Sequence, residues 1–174
     1  GLMSGFARIL YNYSEKYLLS AVMRADGSSQ FGPNKRVGYF PSISGGWRIS
    51  EEGFMQSVEW VSSLKLRATW GISGNNRIGR YSYVTPINMR QYQFGSDVIS
   101  GFAPVPLNLT DNRVLGNPDL GWEQTNETNV GLDFGLFRNR IRFSVDAYTN
   151  LTKSLLLQDP IFSITGFHYQ WANI

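Results

Sequence analysis

Along most of this chain hydrophobic and polar residues alternate with a period of two, the spacing of a β-strand, not the 3.6 of a helix. In residues 64–73, Leu64, Leu66, Ala68, Trp70 and Ile72 share one face, against Lys65, Arg67, Thr69, Gly71 and Ser73 on the other. Residues 42–49 set Ile43, Gly45, Trp47 and Ile49 against Ser42, Ser44, Gly46 and Arg48. In residues 140–150, Ile141, Phe143, Val145 and Ala147 oppose Arg142, Ser144, Asp146, Tyr148 and Asn150. Residues 122–134 place Glu123, Thr125, Glu127, Asn129, Gly131 and Asp133 on one face, opposite a series ending in Val130, Leu132 and Phe134. Weaker alternation over residues 4–13 and 17–25 adds two strands. The pattern predicts an all-β chain, an antiparallel meander of about six strands. Helical periodicity is almost absent; one short turn is expected within residues 51–61, with Ser50 as its cap.

The connections between these strands are unequal. Residues 14–16 and 135–139 are short links, 51–63 is intermediate, and 26–37 and 74–120 are long. Successive connections of an antiparallel meander fall at opposite ends, so one end collects short turns and the other long loops. Transmembrane barrels have this asymmetry. The apolar stripe lies nearest the short turns, and Tyr11, Tyr13, Tyr17, Trp60, Phe134 and Phe137 gather there, as an interfacial aromatic girdle does. A β-sandwich shows the same in–out alternation. The alternative is therefore a secreted sandwich module that binds carbohydrate or acts as an adhesin.

Composition sharpens this choice. Charged residues make up 17% of the 174 residues and aromatics 14%, whereas soluble domains average about 25% charged. A net charge of +3 is too small to point to nucleic acid. There is no cysteine, hence neither disulfide nor thiolate metal site. No run of about 18 apolar residues is present, and residues 1–4 lack the features of a secretory leader. The chain is expected to be a piece of something larger, ending in a loop at residues 172–174.

Several motifs then occur in order: Lys16-Tyr17-Leu18-Leu19-Ser20-Ala21, Arg24-Ala25-Asp26-Gly27-Ser28-Ser29-Gln30-Phe31-Gly32, Gly38-Tyr39-Phe40-Pro41-Ser42-Ile43-Ser44-Gly45-Gly46-Trp47-Arg48, and Leu64-Lys65-Leu66-Arg67-Ala68-Thr69-Trp70-Gly71. Further on come Asn117-Pro118-Asp119-Leu120-Gly121-Trp122-Glu123, Asn129-Val130-Gly131-Leu132-Asp133-Phe134, Asp146-Ala147-Tyr148 and Thr165-Gly166-Phe167. Each is weak singly; their order and spacing together resemble the C-terminal barrel region of the SusC/RagA family of TonB-linked outer membrane transporters. The resemblance covers nearly the whole chain except about residues 78–114. It implies that residues 1–174 are part of a plugged barrel of about 22 strands, in the outer membrane of a Gram-negative bacterium. It further implies import of glycan fragments or peptides, with a SusD-like surface lipoprotein as partner and with energy from the TonB complex acting on a plug region that lies outside this chain. The remaining partner is outer membrane lipid. No nucleic acid, no cofactor and no enzymatic activity are expected.

Candidate chemistry is sparse. His168 is the only histidine, so no histidine cluster can hold a metal. Gly71-Ile72-Ser73-Gly74 lacks the second glycine of a nucleophile elbow, because Asn75 stands there. Glu123 and Glu127, four apart on one strand, are separated by roughly 13 Å, too far for a glycosidase pair. Asp26-Gly27-Ser28-Ser29 is expected to form a tight turn leading into a loop. Arg48, Lys65, Arg67, Glu123, Glu127, Asp133, Arg142 and Asp146 are expected to face the lumen, where Glu123, Glu127 and Asp133 can pair with Arg48, Arg67 or Arg142. Trp47, Leu66, Trp70, Leu132, Phe134 and Phe143 are expected to face lipid. Residues 74–121 form a long extracellular loop without regular structure. Within it Tyr81, Tyr83, Arg90, Tyr92, Phe94 and Phe102 are candidates for contact with substrate or lipoprotein, since aromatic faces suit both.

Overall fold

The computed structural model describes residues 1–104 and 114–174. Its strands in chain order are β1 (Leu2–Tyr13), β2 (Tyr17–Ser28), β3 (Val37–Arg48), β4 (Val61–Asn75), β5 (Ile87–Phe94), β6 (Asp97–Pro104), β7 (Val114–Leu115), β8 (Glu123–Leu136), β9 (Ile141–Lys153), β10 (Leu156–Pro160) and β11 (Tyr169–Asn173). The six strands expected from the alternation form one antiparallel sheet in the order β1-β2-β3-β4-β8-β9. Among the described residues no helix is long and apolar enough to cross a membrane.

This sheet is a single layer. Large apolar side chains remain uncovered even on its central strands, with Ile43 on β3 46% and Trp70 on β4 41% exposed. A sandwich would bury one such face under a second sheet, and none lies over it among the described residues. Tight turns close one end. In the β1–β2 turn Ser14 and Glu15 have positive φ, as do Phe137, Arg138 and Asn139 between β8 and β9. Neighbouring turns are tied together: Asn139 N–H donates to Ser62 Oγ at 3.1 Å, and Phe137 N–H donates to the Trp60 carbonyl at 2.9 Å.

Four local expectations are corrected. Asp26, Gly27 and Ser28 are the last residues of β2, all three paired with β1 and the first two also with β3. Ladder bonds on both sides override their turn-forming composition, and the bend begins only where Ser28 Oγ accepts from Gln30 N–H. Residues 51–61 hold no α-helical turn; two 3-10 turns, Ile49–Glu51 and Gly53–Met55, occur instead, and Ser50 sits inside the first without capping it. The long connection is not structureless: β5 and β6 form a complete hairpin from Ile87↔Pro104 to Phe94↔Asp97. Its signal was the two-residue turn Gly95-Ser96, with Gly95 at φ +64°, between two alternating runs. Ala172 and Asn173 belong to β11, which pairs antiparallel with β10 and parallel with β7.

The conventional core sits at the long-loop end. Phe31, Phe40, Ile78, Leu120 and Trp122 are buried together, with Ile72, Tyr83, Leu156 and Trp171 packed around them. Phe31 and Phe40 approach the Trp122 ring at centroid distances of 5.0 and 5.3 Å, tilted and edge-on, the arrangement that the ring quadrupoles favour.

Candidate functional site

Side chains directly opposite on paired strands share a face, so the register fixes the two sides of the sheet. On one side Arg67 lies opposite Gly46 and Gly131, and Gly131 lies opposite Asp146. The Arg67 guanidinium donates twice to Asp133, Nε–Oδ2 at 2.8 Å and Nη2–Oδ1 at 3.0 Å, and Nη2 also reaches Asp146 Oδ1 at 3.2 Å. The second reach crosses β8 only because residue 131 is glycine; a Cβ there would collide with both Arg67 and Asp146. Lys65, opposite Arg48 and Asp133, shares this face. Arg48 pairs with Glu15 at 3.6 Å, a partner not foreseen. Glu123 accepts from Asn75 Nδ2 at 2.9 Å and from Leu156 N–H at 3.1 Å. Glu127 and Arg142 project on the same face and form no ion pair among the described residues. The register thus gathers all eight charged candidates on one side.

The other side carries the six apolar candidates. Trp47 lies opposite Tyr17 and Leu66, and Leu66 opposite Leu132. Trp70 lies opposite Ile43. Phe134 faces Phe143 in a stack at 4.6 Å and 15°. The apolar band is oblique to the hydrogen-bond rungs. On the rung of Trp70, β8 offers Thr128 and β9 Thr149, while β3, β2 and β1 offer Ile43, Ala21 and Ile9. Barrel strands tilt by about 35–45° to the barrel axis, so a band parallel to a bilayer must cross the rungs at a slant.

At the short-turn end Glu52 gathers three donors. Tyr17 Oη donates at 2.8 Å, Trp47 Nε1 at 3.1 Å and Lys16 Nζ at 3.2 Å. These hydrogen bonds, Tyr17's first, hold the Glu52 carboxyl below its ordinary range, because each favours the charged form. Sequence reasoning missed Glu52: one acid in a turn carries no periodic signal.

At the long-loop end the buried cluster fixes several loops. Gly32 N–H donates to the Leu120 carbonyl at 3.1 Å, and the backbones approach so closely that any Cβ at residue 32 would strike Pro118. Trp122 Nε1 donates to the Arg36 carbonyl at 3.1 Å. Asn173 clamps Gly121 from both sides, accepting its N–H at 2.8 Å and donating to its carbonyl at 3.0 Å. The six loop candidates fall into two groups. Tyr81 and Tyr83 lie on the segment after β4, where Tyr83 packs on the buried cluster. Arg90, Tyr92, Phe94 and Phe102 lie on the β5–β6 hairpin, which among the described residues pairs only with itself. There Phe94 and Phe102 are 77% and 74% exposed.

Residues 2–174 match the family model described as TonB dependent receptor-like, beta-barrel. The chain belongs to this TonB-dependent receptor β-barrel family. It is 46% identical over 173 residues to a TonB-dependent receptor of Formosa agariphila, covering 99% of this chain and 16% of that protein. It is 39% identical over 177 residues to the TonB-dependent receptor SusC of Bacteroides thetaiotaomicron, covering 99% and 17%. Among solved structures it is similar to the RagAB peptide importer in its open-open state, with TM-score 0.86 and 31% identity over 99% of this chain and 18% of that one. The chain therefore spans about a sixth of the length of the curated relatives it matches. As a TonB-dependent receptor segment, the six-stranded sheet is an arc of barrel wall, and the sandwich alternative falls.

Proposed function

We propose that this chain is an arc of the wall of an outer membrane TonB-dependent transporter that imports glycan fragments or peptides. The observation that carries the reading is the two-sided sheet, with an oblique uncharged band on one face and the Arg67–Asp133–Asp146 cluster on the other, in a chain matching the receptor barrel family along its length. On this reading Trp47, Leu66, Trp70, Leu132, Phe134 and Phe143 face lipid. Arg48, Lys65, Arg67, Glu123, Glu127, Asp133, Arg142 and Asp146 face the lumen. The tight turns lie on the periplasmic side and the loop between β4 and β8 on the extracellular side, as in transmembrane barrels generally. The segment catalyses nothing; it shapes a path, and the energy enters through TonB at a plug elsewhere in the parent protein.

The β5–β6 hairpin is the surface offered to a SusD-like lipoprotein. A two-stranded ribbon is marginal in water by itself, and one with exposed apolar residues on both faces needs cover. The test uses the full-length transporter in cells. Uptake of a labelled oligosaccharide or peptide should require TonB, and replacing residues 87–104 with a Gly-Ser linker should release the lipoprotein while the barrel stays heat-modifiable on gels. Uptake that ignores loss of TonB would sink the import reading, and a lipoprotein still co-purifying with the linker variant would sink the hairpin's role.

A further inference from the structure

The segment after β4 crosses the loop ends of β3 and β2 toward β1. It borders an open cleft of about 440 Å³ whose far wall is the start of β1, at Gly1 and Leu2, with Ser29 and Gln30, and whose near wall is Asn76, Arg80, Tyr81 and Tyr83. That volume is in the range of small-ligand sites. Resting on the import reading above, we propose that this cleft is a subsite for a carboxylate carried by the imported solute, with Arg80 as its charge partner.

Three observations carry this. The segment is held in place rather than draped. Ile78 is 7% exposed within the buried cluster. Arg77 N–H donates to Asn75 Oδ1 at 3.1 Å and Ser82 Oγ donates to the Gly79 carbonyl at 2.9 Å. Val84 N–H donates to the Tyr81 carbonyl at 2.9 Å, closing the turn. Second, Tyr81 sits at φ +63°. A bulky residue in the left-handed region persists only where its surroundings over-determine it, and such positions gather at ligand sites. Third, among the described residues Arg80 is the only charged side chain lining the cleft, and no ion pair or hydrogen bond engages it there. The nearby buried acid on β2, Asp26, is already taken by Arg24 at 2.8 Å. An arginine on a pinned turn, with its fork free, takes a carboxylate bidentately. Tyr81 offers a flat apolar surface beside it, and the Gln30 and Asn76 amides supply neutral donors and acceptors.

A uronic acid residue of an oligosaccharide and the C-terminus of a peptide present the same group, so the experiment separates them. Titration calorimetry on the detergent-solubilised full-length transporter would use a uronate trisaccharide and its carboxyl-reduced neutral form. A tetrapeptide with a free C-terminus and its C-terminal amide form the second arm. In one of the two pairs the acid should bind at least about tenfold more tightly than its neutral counterpart, the scale of one charge-assisted fork. Arg80→Ala should erase that gap, and Arg80→Lys should keep only part of it. An acid preference unchanged in Arg80→Ala, or no acid preference in either pair, overturns the proposal. The import reading fails separately, if cells lacking TonB take up the bound solute as fast as wild type. Because Arg80 is exposed and has no ion pair among the described residues, Arg80→Ala should keep the heat-modifiable band; if it does not, Arg80→Gln replaces it in the same titrations.

Discussion

Replacing Ala68 with arginine separates a lipid-facing wall from a wall that merely alternates. Ala68 is the middle of the apolar series Leu64, Leu66, Ala68, Trp70 and Ile72 on β4, and its rung partners are Gly45 and Val130. That series runs about 27 Å along the strand at about 3.4 Å per residue, or about 21 Å along the normal at a tilt of about 40°, close to the roughly 25 Å apolar band of a transmembrane barrel. Ala68 therefore lies near the midplane. No large side chain is lost in the change, so no cavity accompanies it. Arginine on the lipid face at the midplane costs about 2–4 kcal/mol, a fall of about 30- to 700-fold in the folded ratio at about 1.4 kcal/mol per tenfold. Thr69 is the control: one residue away on the opposite face, with Ser44 and Asn129 as rung partners. Thr69→Arg should shift stability by less than about 0.5 kcal/mol, as a wet surface substitution does. The assay is denaturant unfolding of the full-length barrel in lipid vesicles, followed by tryptophan fluorescence. If Thr69→Arg costs as much as Ala68→Arg, or more, the two faces are wrongly assigned and the wall reading collapses.

Arg67→Ala leaves Asp133 and Asp146 near each other without a cation; since all three are about one-third exposed, the loss should be modest, about 0.5–1 kcal/mol, and Asp146→Asn in the same background should recover part of it in vesicle unfolding. Trp122→Ala empties the centre of the loop-end cluster, and a buried aromatic truncation costs about 3–5 kcal/mol; limited proteolysis should then cut residues 29–36 and 76–84 while β1–β4 stay protected. Trp122→Phe should give a much smaller effect, about 1 kcal/mol, from the lost bond to the Arg36 carbonyl. Glu52 lies in a turn outside the strands with its carboxyl held below the ordinary range. A lowered folded value adds stability above the unfolded pKa and loses it as pH falls through the folded one, so the acid limb of the stability profile should be shallower in Glu52→Gln.

What the sequence made legible follows from period and distance. Six strands and both faces could be read because alternation is local: Leu66 and Arg67 announce opposite sides whatever lies beside them. Strand ends were harder, since Asp26-Gly27-Ser28 has the composition of a turn and becomes strand only by pairing with both neighbours. The buried cluster was beyond reach, because Phe31, Phe40, Ile78, Leu120 and Trp122 come from well-separated places and share no period. Glu52 was missed for the same reason, as its three donors lie on β2, on β3 and in the β1–β2 turn. The candidates between β4 and β8 looked like one group because the Gly95-Ser96 turn, which sets Tyr92 on a hairpin and leaves Tyr81 outside it, is a weak signal within a long polar connection. The structure divides them through Ile78, whose burial fixes the first pair to the wall, while the hairpin carrying the others pairs, among the described residues, only with itself.

A barrel wall gives away both of its faces, and this has a consequence for where precision can be built. On the proposed transporter reading, side chains along most of β1–β4, β8 and β9 face lipid on one side and, on the other, a lumen that must stay open to solute, so neither side can hold an interlocking core over that length. The chain closes such a core at the loop ends of the strands, where Phe40 of β3 and Ile72 of β4 meet residues from both long connections and from β10 and β11. Rigid placement of loop groups such as Arg80 and Tyr81 therefore depends on Trp122 and its neighbours, not on the wall. The two kinds of substitution should come apart. Ala68→Arg should weaken insertion of the barrel and leave solute affinity of the folded fraction intact. Trp122→Ala should leave the barrel heat-modifiable and erase the distinction between acid and neutral solutes. If both substitutions impaired assembly and affinity in the same proportion, wall and loop core would be one cooperative unit, and the separation argued from the single-layer sheet would be wrong.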